Sequence, residues 1–103
     1  MEKQMANVTL TITRADNEVA AFVNGLTVYD RKTEGDPALN DVVALDAYLA
    51  KGLNTLVLVG VNWGGPANFQ GSLTIGAVTQ KIAFQASSTP NGIAWTQTFV
   101  IPA

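Results

Sequence analysis

The chain has 103 residues, 48% of them hydrophobic and 14% charged, with a formal net charge of -2 and a pI near 4.7. That composition suits one compact domain with a core of its own. It speaks against a nucleic-acid binder, which needs a basic face to neutralise phosphates, and against a polybasic membrane-surface protein. The chain contains neither cysteine nor histidine, so a disulfide framework, a thiol nucleophile, a Ser-His-Asp triad and an ordinary zinc site are excluded.

The opening stretch, MEKQMANVTL, lacks the apolar core of a secretory signal, which implies a cytoplasmic protein or one released by a non-classical route. Met5 is a second candidate for the initiating methionine, and residues 1–6 are expected to lie outside the fold. The domain is read as a single β-sandwich spanning 1–103. NVTLTIT then alternates Val8, Leu10 and Ile12 with Thr9, Thr11 and Thr13, the pattern of a half-buried strand. RADNE reads as a turn, and EVAAFVNG as the next strand. Asn24-Gly25 is the strongest short hairpin signal in the chain, because a type I′ turn needs two positive φ angles. LTVYD returns from it.

Arg31 to Asp41 is polar, contains Gly35 and Pro37, and reads as a long loop. Val42 to Leu45 look extended. Asp46 is placed to cap one helical turn carrying Tyr48 and Leu49 and closed by Gly52. LNTLVLVGVNW is apolar on both faces and therefore central in its sheet. Its interruption by Gly60 and Asn62 argues against a membrane span, and no membrane insertion is expected. GGPANFQ reads as a loop. GSLTIGAVTQKIAFQAS reads as one bent strand or two, with Gly76 at the bend. STPNG reads as a turn, and IAWTQTFVI closes the chain. The sum is an all-β protein, an antiparallel β-sandwich of jelly-roll type with about eight strands. Its expected core comprises Val8, Leu10, Ile12, Phe22, Val57, Val59, Leu73, Ile75 and Phe99.

Ala15, Asp16, Asn17, Glu18, then Phe22, Val23, Asn24, Gly25, then Leu45, Asp46, Tyr48, Leu49, Gly52, Asn54 and Asn62 form a pattern over roughly Val8 to Gly64. It resembles the galactose-binding-domain-like modules found appended to glycoside hydrolases and in small lectins. The resemblance implies a jelly-roll fold and carbohydrate binding without catalysis.

For catalysis the chain retains only carboxylates, lysines and hydroxyls. Its acids between Asp16 and Asp46 are more simply solvated loop residues than a glycosidase pair, so no enzyme is expected. A saccharide site pairs an aromatic plate with planar polar groups. Trp63 sits in a Gly-Gly-Pro context flanked by Asn62, Asn68 and Gln70, and Asp30, Arg31, Glu34 and Asp36 lie in the earlier polar loop. The expected ligand-binding set is Trp63, Asn62, Asn68, Asp30, Arg31 and Asp36. Trp63 has a plainer alternative as a lid on the core edge, and Trp95, inside an alternating strand, reads as core. Asp36, Asn40 and Asp41 are conceivable calcium ligands without EF-hand spacing; no metal or other cofactor is expected.

From Leu53 to Ala103 the only charged side chain is Lys81. A neutral Thr/Gln-rich face lacks the charges that blunt edge pairing. This supports a second reading, a structural module that self-associates or packs on a partner protein, with Thr96 and Gln97 taken as outward positions. A homo-oligomer is expected.

Overall fold

The computed structural model describes residues 7–103, so the expectation about residues 1–6 lies outside the described residues. Six strands form one curled antiparallel sheet: β1 (Val8–Arg14), β2 (Glu18–Val23), β3 (Leu26–Lys32), β4 (Ala38–Ala44), β5 (Leu53–Ile75) and β6 (Val78–Pro102). The only helical element among the described residues is a 3-10 turn at Asp46–Tyr48. The order is β3-β2-β5-β1-β4, with β6 paired to β5. One end of β5 pairs with β2, from Glu18↔Val61 to Val23↔Leu56. The other end pairs with β1, from Val8↔Ile75 to Arg14↔Gln70. β6 follows β5 from Leu53↔Pro102 to Ile75↔Val78. β5 is therefore central, as its two-sided apolarity implies.

The strands number six rather than about eight, because two expected loops are inside strands. GGPANFQ lies within β5 and STPNG within β6, joined by Trp63↔Asn91 and Gly65↔Thr89. Gly64 and Gly65 take φ of 98° and 79°, so the chain turns sharply without leaving the ladder. The turn residues here bend a paired hairpin instead of ending it. The true reversal comes at Gly76 and Ala77, between Ile75 and Val78. The expected 31–41 loop shrinks to residues 33–37, since β3 runs to Lys32 and β4 begins at Ala38.

The bend folds the hairpin over itself. A straight strand would hold Gly60 and Phe69 roughly 30 Å apart. Instead the Phe69 ring lies on Gly60, where an added Cβ would come within 2.8–2.9 Å of three ring carbons. Phe69 stacks in turn on Trp95, with centroids 5.5 Å apart, and Trp95 on Phe84 at 6.2 Å. Around this stack the inner face gathers Val19, Ala21 and Val23 from β2 and Leu56 and Leu58 from β5. Phe99 and Ile101 join them from β6, and Val8, Leu10 and Ile12 from β1.

Of the expected core, Val8, Leu10, Ile12, Leu73 and Phe99 are buried. Phe22, Val57, Val59 and Ile75 are only half-buried. In β2 and the first half of β5 the buried phase is the opposite of the one expected. Leu56, Leu58, Gly60 and Asn62 face inward, and the valines between them face out. An apolar run on both faces gives period two nothing to choose between.

Asn24 and Gly25 take φ of 50° and 85° and join Val23 to Leu26, the two-residue hairpin expected. The Asn24 side chain also accepts from Thr55 N–H at 2.9 Å and donates to Asn54 Oδ1 at 2.8 Å. Asn54 is buried, and its amide bonds Ala50, Gly52 and the Ile101 carbonyl, tying β6 to the start of β5. Asp46 does not cap its turn from outside; it is the first residue of it, and its carboxylate accepts from Val8 N–H at 3.1 Å.

Gly60→Ala should lower unfolding stability by about 1–3 kcal/mol through overpacking against Phe69. Urea unfolding followed by tryptophan fluorescence reads this directly, and an unchanged midpoint would mean the ring does not rest on Gly60.

Candidate functional site

The bend of the β5–β6 hairpin presents the one aromatic plate expected to stack on a ligand. Trp63 is 50% exposed there. Its backbone N–H donates to Asn17 Oδ1 at 2.7 Å. Asn17 also donates its own N–H to Val61 O at 2.8 Å and accepts from Thr33 N–H at 2.7 Å. The buried Thr33 hydroxyl donates to Ala15 O at 2.7 Å, and Ala15 N–H reaches Pro37 O at 3.0 Å. Three segments thus meet at one end of the sheet: 15–17, 33–37 and the Trp63 bend. Asn17 and Thr33 hold them together. Asn17 was visible in the sequence only as a turn residue, and Thr33, within RKTEGD, gave no signal of burial.

The six expected site residues do not converge on one spot. Trp63 and Asp36 share this end, through the Asn17–Thr33 junction. Asn62 is a correction: it is 1% exposed, and its amide donates to Gly65 O, Pro66 O and Thr89 Oγ1 at 3.0, 3.2 and 2.6 Å. It positions the bend and has no free donor to offer. Asn68 lies beyond the bend and accepts from Gln70 Nε2 at 3.0 Å. Asp36 is exposed and accepts from Ala38 N–H at 3.0 Å.

Asp30 and Arg31 sit back along β3, and as neighbours on a strand they face opposite ways. Asp30 lies beside Glu18 on the outer face. Hydrogen bonding to Asp30 raises the Glu18 carboxyl above its ordinary range; slight burial and the Asp30 charge add to this, while Lys32 opposes it. Arg31 pairs with Asp41 of β4 at 3.1 Å. The same carboxylate accepts from Tyr29 Oη at 2.6 Å. Burial first, then this bond to Asp41, pushes the Tyr29 phenol well up. Arg31 and Tyr29 therefore stitch edge β3 to edge β4.

The conceivable calcium set does not assemble. Asn40 and Asp41 are adjacent on β4 and point to opposite faces, and Asp41 is engaged by Arg31 and Tyr29. Among the described residues no group of three or more acidic side chains is placed to hold a metal ion. No helix among them is long and apolar enough to cross a membrane.

The larger uncommitted surface lies on the outer side of the half-sheet made by β3, β2, the start of β5 and the end of β6. Phe22, Val57, Val59 and Val61 are half-buried there, and Leu53, Ile93 and Val100 are exposed. Its charges, Glu18, Asp30 and Lys32, sit together at one corner, set by the pairings Glu18↔Lys32 and Ala20↔Asp30. Thr96 is exposed on this side; Gln97, expected to face out with it, pairs with buried Leu58 and is half-buried on the inner side. Comparison with family models, with curated proteins and with solved structures returned no match.

Asn62→Ala should destabilise the domain by about 1–3 kcal/mol, because it removes the buried amide that bonds the Gly65 and Pro66 carbonyls and the Thr89 hydroxyl and so holds the bend. Asn68→Ala should change stability by less than about 0.5 kcal/mol, as surface substitutions usually do. Chemical denaturation of the two variants side by side checks the assignment.

Proposed function

We propose that this chain is a non-catalytic structural module that self-associates. The observation that supports this reading best is the outer face of the half-sheet made by β3, β2, the start of β5 and the end of β6. A sheet half apolar on both sides is the pattern of one covered on both sides. Four strands about 4.8 Å apart, followed over eight residues, give a face of roughly 500 Å². Two such faces bury about 1,000 Å², the lower bound for a specific association. Its centre carries no charge, so a second copy meets no like-charge repulsion there. In finer terms the fold is a β-sandwich of jelly-roll type with eight strand segments, if β5 and β6 are each counted twice across the bend.

Light scattering with size-exclusion chromatography over a concentration series tests the reading. The wild type should exceed monomer mass as concentration rises. Thr96→Lys should shift it towards monomer, since an unpaired charge is costly to bury. A wild type that scatters as a monomer throughout removes the reading.

A second reading is supported by Trp63, half-exposed on a bend that four hydrogen bonds hold in place. Here the module is lectin-like and binds a neutral or weakly charged saccharide, as the resemblance to galactose-binding-like modules implies. Trp63 is the stacking plate, and Asp36 in the 33–37 segment is a carboxylate at the same end of the sheet; Asn68, Asp30 and Arg31 lie away from it. Trp63→Ala should then weaken binding by about 1 kcal/mol or more while the fold persists. A glycan screen with tryptophan fluorescence titration measures it. No binding across the screen ends this reading.

A further inference from the structure

We infer that two copies of this chain pair through the free edge of β6, antiparallel about a two-fold axis at Gln97. The inference rests on the self-association reading but assigns the contact to the strand edge that borders the outer face rather than to the face itself.

The sheet has three edges, and two are guarded. β3 carries Asp30, Arg31 and Lys32 and is irregular between Ala21 and Phe22 of its partner strand. β4 is short and is tied to β3 through Asp41. Charges, irregularities and short length are the usual means of keeping an edge from pairing. β6 is 25 residues long and, among the described residues, has β5 as its only strand neighbour. Lys81 guards its first half, and Pro90 interrupts the bend. From Ile93 to Ile101 it carries no charge, no proline and no glycine. Those residues, IAWTQTFVI, combine high strand propensity with neutrality, the composition that seeks another strand.

The ladder fixes which backbone groups are free. Gly52 and Ala103 exchange both hydrogen bonds, at 2.8 Å each way. In an antiparallel pair such exchanges recur at every second residue. Asn54–Ile101, Leu56–Phe99 and Leu58–Gln97 are therefore the exchanging pairs. The N–H and C=O groups of Thr96, Thr98 and Val100 point away from β5. No backbone–backbone bond outside the β5 ladder is made by them among the described residues.

The ladder to β5 slips by one residue between Ile93 and Trp95, so the regular part of the stretch is Trp95–Ile101, and its Trp95–Phe99 portion is self-complementary about Gln97. In that register Thr96 of one copy exchanges backbone bonds with Thr98 of the other, and two threonines meet on the outer side. Trp95 faces Phe99 in a non-exchanging pair, where side chains approach closest, and aromatic pairs stabilise such positions. Gln97 faces its own copy. No charge opposes a like charge anywhere along the stretch. The product is one continuous sheet whose two outer apolar faces join.

The chain has no cysteine, so Gln97→Cys introduces a single thiol. Under mild oxidation this variant should give a covalent dimer on a non-reducing gel, because the non-exchanging pair brings the two Cβ atoms near disulfide range. Thr79→Cys, exposed on the guarded half of β6, should stay unlinked. Ala20→Lys, on the outer face two strands from the edge, should leave the dimer intact, whereas Thr98→Lys should weaken it roughly tenfold or more. A wild type that stays monomeric overturns both this inference and the self-association reading. A dimeric protein in which Gln97→Cys fails to link, or which Ala20→Lys dissolves, overturns the edge pairing alone and leaves association through the face.

Discussion

Everything in this fold depends on one hairpin lying down on itself. β5 and β6 run side by side for most of the second half of the chain, and the ring of Phe69 rests where Gly60 has no side chain. That contact converts a long ribbon into an enclosing surface. It decides that Leu56 and Leu58 face the same interior as Leu73 and Ile82, and it gives Trp95 and Phe84 a ring to stack on. β1 and β2 then dock in series along the other edge of β5, one on each arm of the bend. The polar groups at the bend are satisfied from within, chiefly by the Asn62 amide. The turn can therefore sit against the core without leaving carbonyls unpaired.

What the sequence made legible follows from where its signals are local. Alternation in NVTLTIT gave the inner face of β1 correctly, because threonines opposite Val8, Leu10 and Ile12 leave only one apolar side. Asn24-Gly25 gave the hairpin, because the backbone demand is met within two residues. The signals failed where they were degenerate. Two-sided apolarity in β5 left its phase open, and Val57 and Val59 were taken for Leu56 and Leu58. Gly-Gly-Pro and Ser-Thr-Pro-Asn-Gly were read as strand ends; they are the two sides of a bend whose continuity depends on pairing across sequence. Nor could a single chain reading see that Asn62 is sealed in, since its partner Thr89 is distant in sequence.

The candidate site divides along the same line. Trp63 was found by its context, and its exposure suits a stacking role. Arg31 and Asp36, chosen for their chemistry, have structural partners in Asp41 and Ala38. The charge-poor second half resolves into two distinct features: an apolar outer face and an edge strand with no charge from Ile93 to Ile101. A charge-poor half-chain is thus a statement about which strand neighbours which, once the sheet order is known.

Asn54 has a consequence for how the chain reaches this state. Its amide binds the loop before β5, the Asn24 hairpin and the Ile101 carbonyl at once. Only the loop is near in sequence; Asn24 is 30 residues away and Ile101 47. The β5–β6 hairpin can zip from the turn at Gly76, since each added pair closes little new loop. Docking β1 and β2 on β5 means closing much longer loops, and such non-local pairing is slow. Asn54 lies at the far end of the zipper, where the last rungs form, and joins them to the earlier hairpin. One buried side chain thus ties the closing rungs of the β5–β6 ribbon to the hairpin of β2 and β3, so neither end can be released without unpairing it.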